Sequence, residues 1–280
     1  MKKFIISTHS FDFGIGGLKV LHKLCHLLNE NGYDAYLIPV RFDLPFESYD
    51  KYNVKMVTEE VLSNIDDCIV VYPESWFGNY LNAKNVVRWM IGFPSELHIK
   101  TWSDKDLWFW YIPEYITQVH NKNKENFLYV GETHKDIFYN KNLNRDINCW
   151  TLRKAQDFIK PDQYVHPKDS FFIPYHAAGD LFNLSLIFNK STDFYCYDNY
   201  TYLSIQALMC GTNSIVIPNK LTKEQFLSGF ELNKYVAFGI DDLNRAKNIR
   251  NEFESSLNEL EKKTTIQIHE FVNKCYDYFK

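Results

Sequence analysis

Residues 4–40 read FIISTHSFDFGIGGLKVLHKLCHLLNENGYDAYLIPV. The apolar run FIIS is a strand. From Leu18, apolar residues fall at Leu18, Leu21, Leu24, Cys25 and Leu28, the spacing of one helix face. Asn31-Gly32 is a helix stop, and AYLIPV (35–40) is a second strand. Strand, helix and strand in so short a span form a βαβ unit, so the sheet is parallel.

The alternation continues beyond this unit. VTEEVLSNI (57–65) and NAKNVVRWMIG (82–92) read as helices, the second ending at Gly92. CIVVYP (68–73), LWFWYIP (107–113) and NFLYVG (126–131) read as strands. Trp108, Phe109, Trp110 and Tyr111 alternate in strand phase, which predicts burial rather than a stacking platform. The polar stretch NKNLNRDIN (140–148) marks a domain boundary. A second block follows: CWTLRK (149–154), FFIPY (171–175), a helix over 181–189, a strand over 192–198, a helix over 200–211 and the strand SIVIP (214–218). A long helical tail ends the chain, with Phe271, Val272, Cys275 and Phe279 on one face.

Composition bounds the function. Hydrophobic residues make up 45% of the 280, enough for a substantial core. A net charge of −4 provides no global basic field, so nucleic acid is not expected as a partner. No apolar run reaches the ~18 residues of a membrane span, and FIIST is too short for a signal peptide. The expected location is the cytoplasm, with peripheral contact at the inner membrane face left open. Six scattered cysteines without a C-x-x-C pair predict reduced, buried thiols and no structural zinc. No Asp-x-Asp stretch has the setting of a metal site, so no metal and no cofactor is expected.

The glycine turn does not carry the dinucleotide fingerprint. Gly14 and Gly16 fit G-x-G-x-x-G, but Lys19 holds the third place, and Arg41 follows strand two where a carboxylate belongs. A P-loop is excluded by the missing G-K-[ST]. What remains is either a plain tight turn or a turn bringing backbone N–H groups and a helix start close to phosphate or sugar.

The stretch YCYDNYTYLSIQALMCGTNSIVIP (195–218) is the more informative. Asp198 ends a strand, and Gln206 lies eight residues on, about two helical turns, so both can face one cleft. Asn199, Tyr200 and Thr201 stand at the helix start, where free N–H groups can receive phosphate.

This segment resembles the donor-site motif of the family 4-like (group 1) glycosyltransferases of the GT-B fold. That motif has an acidic residue, seven intervening residues and a Glu within an EA-x-x-CG helix. Asp198 takes the first place and Gln206 the second, in QALMCG, where it lacks the usual charge. GIGGLKVLHKLCHLLNENGYDA is similar to the family's glycine loop and first helix. VVYPESWFGNYLNAKNVVRWMI resembles a segment of some bacterial and viral polysaccharide glycosyltransferases. CWTLRKA resembles the strand whose Arg and Lys approach the donor diphosphate, here Arg153 and Lys154. The resemblance spans residues 4 to 218 in patches.

It implies an α/β chain of two Rossmann-like domains facing a cleft. The first, 1–145, would present the acceptor; the second, 146–262, would hold the donor; a terminal helix, 263–280, would pack back on the first. It implies transfer of a sugar from a nucleotide diphosphate sugar to a glycan or lipid-linked acceptor in polysaccharide or glycoconjugate synthesis, with retention and without metal. Asp198, Arg153, Lys154 and Asp12 are the candidate catalytic residues, Asp12 as the base if the reaction inverts. Gly16, Gly17, Asn199, Tyr200, Thr201, Gln206 and His176 are candidates for the donor. Glu74, Asn79 and Glu114, at or near strand ends, are candidates for the acceptor. A nucleotide-sugar epimerase or hydrolase, and an inactive nucleotide- or sugar-binding module, stand as alternatives.

Overall fold

In the computed structural model, which describes residues 2–131 and 133–280 with the Glu114 side chain outside that description, the opening βαβ unit is present. It consists of β1 (Lys3–Thr8), α1 (Gly16–Glu30) and β2 (Ala35–Pro39). β1 and β2 run parallel, from Phe4 beside Ala35 to Thr8 beside Pro39. The helix stop works as its sequence suggests. Gly32 has φ +79°, and the Tyr33 N–H donates to the Leu28 carbonyl at 2.9 Å.

The chain forms two units, Met1–Glu132 with Glu261–Lys280, and Thr133–Leu260. The first adds β3 (Lys55–Met56), α2 (Glu59–Ser63), β4 (Cys68–Pro73), β5 (Asn85–Met90), α3 (Glu96–Ile99) and β6 (Leu107–Trp110). Its six strands are all parallel, in the order β3-β2-β1-β4-β5-β6. This is the doubly wound dinucleotide-fold order. Both faces are covered. Phe4, Ile6, Leu37 and Val71 pack with Leu21, Leu24 and Leu28 of α1 on one side; Ile5, Val70 and Val86 pack with Val61 on the other.

The expected helix over 82–92 is instead β5, every residue of which is buried. A strand buried on both faces shows no period-2 alternation, and in β5 the polar Asn85 and Arg88 also break the continuous apolar run that identifies β4. Arg88 lies inside this strand, fully buried, with Nε donating to Asp106 Oδ2 at 2.7 Å and Nη2 to the Gly78 carbonyl at 2.6 Å. NFLYVG makes only one bridge, Phe127 beside Trp110, in place of a full strand. The aromatic run 108–110 is buried, as its phase predicts.

The second unit contains β7 (Ile147–Thr151), β8 (Phe171–Phe172), α4 (Leu181–Lys190), β9 (Ser191–Cys196), α5 (Leu203–Met209), β10 (Asn213–Val216), α6 (Lys223–Gly229), β11 (Ala237–Phe238) and α7 (Leu243–Asn248). Its five strands are parallel, in the order β11-β10-β9-β7-β8. Counted from β7, this is the 2-1-3-4-5 doubly wound order, with its switch point between β7 and β9.

The last helix, α8 (Phe253–Tyr278), starts in the second unit and ends in the first. Ile268, Phe271, Val272 and Cys275 are fully buried in the first unit's core, and the Phe271 ring lies 4.8 Å from that of Phe109. The terminal helix therefore packs on the N-terminal unit, as expected. All six cysteines are buried and free. Among the described residues, no helix is long and apolar enough to cross a membrane.

Candidate functional site

Ligands of doubly wound sheets lie outside the carboxyl ends of the strands, at the switch point. In the second unit, the segments that leave β7 and β9 flank that point. They carry Arg153 and Lys154 on one side, and Asp198, Asn199 and Tyr200 on the other.

Asp198 joins the two segments. It is only 5% exposed. One carboxylate oxygen accepts the Tyr200 N–H at 3.0 Å, and the other accepts the Lys154 N–H through a long contact of 3.5 Å. A buried carboxylate needs such donors, because an unpaired one is costly. Its backbone carbonyl accepts from the Cys196 thiol at 3.2 Å. Burial raises that thiol far above its ordinary value, with the Asp198 charge adding to it, so Cys196 stays protonated.

Arg153 has φ +50°, the left-handed region that a non-glycine residue seldom occupies. Its Nη1 donates to the Tyr175 carbonyl at 2.8 Å, and its guanidinium lies 4.1 Å from the centre of the Tyr175 ring. The chain leaving β8 thus reaches Arg153 through Tyr175. Lys154 is exposed, as is His176, one residue beyond Tyr175.

Asn199 and Gln206 retain unsatisfied polar atoms in the interior. Asn199 is 6% exposed; its Nδ2 donates to the Ile217 carbonyl at 3.1 Å, while Oδ1 has no partner among the described residues. Gln206, on α5, is 2% exposed and its Nε2 is likewise unpartnered. Most buried polar atoms have a partner, so each exception needs a reason. Thr201 stands at the approach to α5, its Oγ1 accepting the Leu203 N–H at 3.4 Å.

α5 is anchored at its far end. Arg145 Nη2 donates to the Cys210 carbonyl at 2.6 Å, and Arg250 Nη2 to the Leu208 carbonyl at 2.5 Å. Gly211 closes the helix at φ +87°. A Cβ at Gly211 would meet Arg145 Nη2 at 2.5 Å, so the glycine admits the guanidinium as well as the turn.

The other predicted residues belong to the first unit. Asp12 is exposed, and its Oδ1 accepts the Gly14 N–H at 2.6 Å, a turn-forming contact. Gly16 begins α1 and has open space where a Cβ would be; at Gly17 a Cβ would lie 3.2 Å from Ile91 Cδ1. Glu74 follows β4 and accepts the Ile91 N–H, just past β5, at 3.1 Å. It also fills the space beside Gly92, where a Cβ would lie 2.6 Å from its Oε1. The glycine turn after β1 and Glu74 after β4 therefore flank the first unit's switch point, since β1 and β4 are neighbours. Asn79 is occupied within its own loop. Its Oδ1 accepts from Tyr72 Oη at 3.1 Å and from the Ala83 N–H at 3.1 Å, and its Nδ2 donates to the Ala83 carbonyl at 2.8 Å. Glu114 has its side chain outside the described residues.

The structure thus brings Asp198, Arg153, Lys154, Asn199 and Tyr200 together in one unit, with His176 adjacent in sequence to Tyr175. Sequence reasoning missed Tyr175; its only signal was the place beside His176 at a strand exit. It also missed Arg145 and Arg250, whose partners are main-chain carbonyls far away in sequence.

No protein-family profile matches the sequence, and no curated protein does. Solved structures do. T4 phage BGT in complex with UDP and Mn2+ is 11% identical, with a TM-score of 0.51 and all of both chains covered. An alpha-glucosyltransferase in complex with UDP and a 13-mer DNA containing a HMU base is 13% identical, with a TM-score of 0.49, covering 99% of this chain and 94% of that one. The expectation that nucleic acid is no partner is corrected by that second structure. A net charge of −4 summed over the whole chain does not exclude a local surface for nucleic acid. At these identities the likeness is one of fold. The chain has the GT-B fold, built from two Rossmann-like units with parallel sheets.

Proposed function

We propose that this protein is a glycosyltransferase that takes its sugar from a nucleotide diphosphate donor held by the second unit. The observation that carries this reading is the switch point between β7 and β9. There Asp198 ties two strand exits together, beside Arg153 and Lys154, and Asn199, next in the chain, keeps a buried Oδ1 without a partner among the described residues, as does Nε2 of Gln206 on α5. A ligand with phosphates and hydroxyls supplies what those groups lack. Arg153 offers a planar fork for the diphosphate and Lys154 a point charge. Asn199 Oδ1 accepts from a hydroxyl, and Gln206 Nε2 donates to one.

In the reaction, the bond between the anomeric carbon and the diphosphate oxygen breaks as the acceptor hydroxyl bonds to that carbon. Negative charge grows on the leaving diphosphate, and Arg153 and Lys154 stabilise it. These cations take the part that a metal plays elsewhere, so the reading is metal-independent. Configuration is retained, and the leaving phosphate takes the acceptor proton. Asp12, the base that an inverting reaction would need, is engaged in the turn at Gly14. Glu74, at the first unit's switch point, is the residue assigned to the acceptor.

UDP is the nucleotide to try first, since T4 phage BGT holds it on the same fold. The acceptor is a hydroxyl on a glycan or a lipid-linked glycan. The deciding assay gives UDP-sugars with a panel of glycans, lipid-linked glycans and DNA containing a HMU base, with and without EDTA. Acceptor-dependent UDP release, unaffected by EDTA, supports the reading. Turnover without acceptor makes the protein a hydrolase or epimerase, and transfer to DNA alone corrects the acceptor class. NMR of the product decides retention.

A further inference from the structure

Arg153 is a long side chain, and such chains lose rotamer freedom when they bind an anion. Here the guanidinium is already held. The Tyr175 carbonyl accepts from Nη1 at 2.8 Å, and the Tyr175 ring lies beneath the guanidinium at 4.1 Å. Tyr175 is itself fixed. It follows Pro174 and opens a short 3-10 turn, Tyr175–Gly179, in which the Ala177 N–H donates to the Pro174 carbonyl at 3.1 Å. Tyr175 is 46% exposed, so it contributes little to the core. The left-handed backbone of Arg153 is a conformation that persists only where its surroundings impose it.

We propose that Tyr175 is a positioning residue that sets the Arg153 guanidinium in place before the donor diphosphate arrives. This inference rests on the donor-site reading above. Each half of the grip has its own chemistry. The ring face attracts the cation through its quadrupole, and the main-chain carbonyl fixes which Nη points toward it. A guanidinium placed in advance reorganises less on binding, so the ring appears in donor affinity without touching the donor.

The test is a calorimetric titration of UDP into the wild type, Arg153→Ala, Tyr175→Ala, Tyr175→Phe and the double variant Arg153→Ala/Tyr175→Ala. The expected result is a two- to fivefold weaker affinity in Tyr175→Ala, the scale of an exposed cation–π contact. Tyr175→Phe keeps the ring and restores the affinity. In the Arg153→Ala background, removing the ring changes nothing further, which a merely structural role does not produce. Thermal unfolding of each variant stays at the wild-type value. If Tyr175→Ala binds UDP normally, or weakens it equally with Arg153 absent, the inference is overturned, in the second case because the ring meets the ligand itself. A wild type that binds no UDP, or an Arg153→Ala variant that binds it unchanged, overturns the donor-site reading and this inference with it.

Discussion

The Asp198 carboxylate accepts the backbone N–H of Tyr200 at 3.0 Å, which fixes the turn that leaves β9. Asn at this position keeps an acceptor oxygen for Tyr200 and loses the charge. Asp198→Asn is therefore expected to keep wild-type thermal stability, whereas Asp198→Ala removes the acceptor of two part-buried N–H groups and costs ~1 kcal/mol. Both variants lose affinity in a UDP-glucose titration if the carboxylate accepts from hydroxyls of the donor sugar. Should Asp198→Asn bind UDP-glucose as the wild type does, Asp198 is a turn residue alone.

Gln206 gives the opposite signature. An unsatisfied amide in the interior is a cost the free protein carries. Gln206→Met preserves volume and removes that cost, so chemical denaturation is expected to show a gain of up to ~1 kcal/mol. The same variant binds UDP roughly two- to tenfold more weakly, the worth of one hydrogen bond. Greater stability with weaker binding marks a polar group retained for a ligand; lower stability would assign Gln206 to the core.

Arg88 and Asp106 make a buried pair at 2.7 Å, and the Arg88 guanidinium also lies 5.0 Å from the Trp102 ring. Burial lowers the Arg88 pKa, and Asp106 opposes that shift. Removing one partner leaves the other charged in the interior. Asp106→Ala is expected to cost ~3–5 kcal/mol in urea unfolding, while the double variant Arg88→Met/Asp106→Leu recovers much of that loss.

His22 sets a pH dependence. It is fully buried on α1, its Nε2 bonded to the His9 carbonyl at 2.9 Å and its ring stacked on Phe46. Desolvation lowers its pKa below 6.5, outweighing the His9 contact. The unfolded chain then binds the proton more readily than the folded one, so stability is full above ~6.5 and falls as pH drops below it. His22→Leu should flatten the part of the stability profile between pH 5 and 6.5. Loss of stability below pH 4 should remain, because, against the upward push of burial, Arg245 and Lys223 hold the folded Asp242 carboxyl well below its ordinary range and the unfolded chain takes up the proton first.

Much of this was readable in the sequence. FIIS, the α1 stripe and Asn31-Gly32 gave the first βαβ unit because a short unbroken apolar run, a one-sided apolar helix face and a glycine stop each carry a local signal. The stretch from Tyr195 to Pro218 gave the strand, turn, helix and strand of the second unit because polar turn residues and Gly211 bound its apolar runs. β5 was unreadable because the buried Asn85 and Arg88 interrupt its apolar run, and Arg88 finds its partner eighteen residues away. Arg153 and Lys154 could be named from local pattern. Tyr175 could not, since what it offers Arg153 is a carbonyl and a ring face brought in from the neighbouring strand exit.

The central claim is that the exits of β7 and β9 bind a nucleotide diphosphate. Thermal unfolding of the wild type and Arg153→Ala against UDP, GDP, ADP and CMP tests it most directly. At a hundredfold excess over Kd, one nucleotide diphosphate should stabilise the wild type by ~2.7 kcal/mol, with a smaller effect on Arg153→Ala at the same concentration. Equal shifts in the two proteins, or no shift with any nucleotide, would contradict the account.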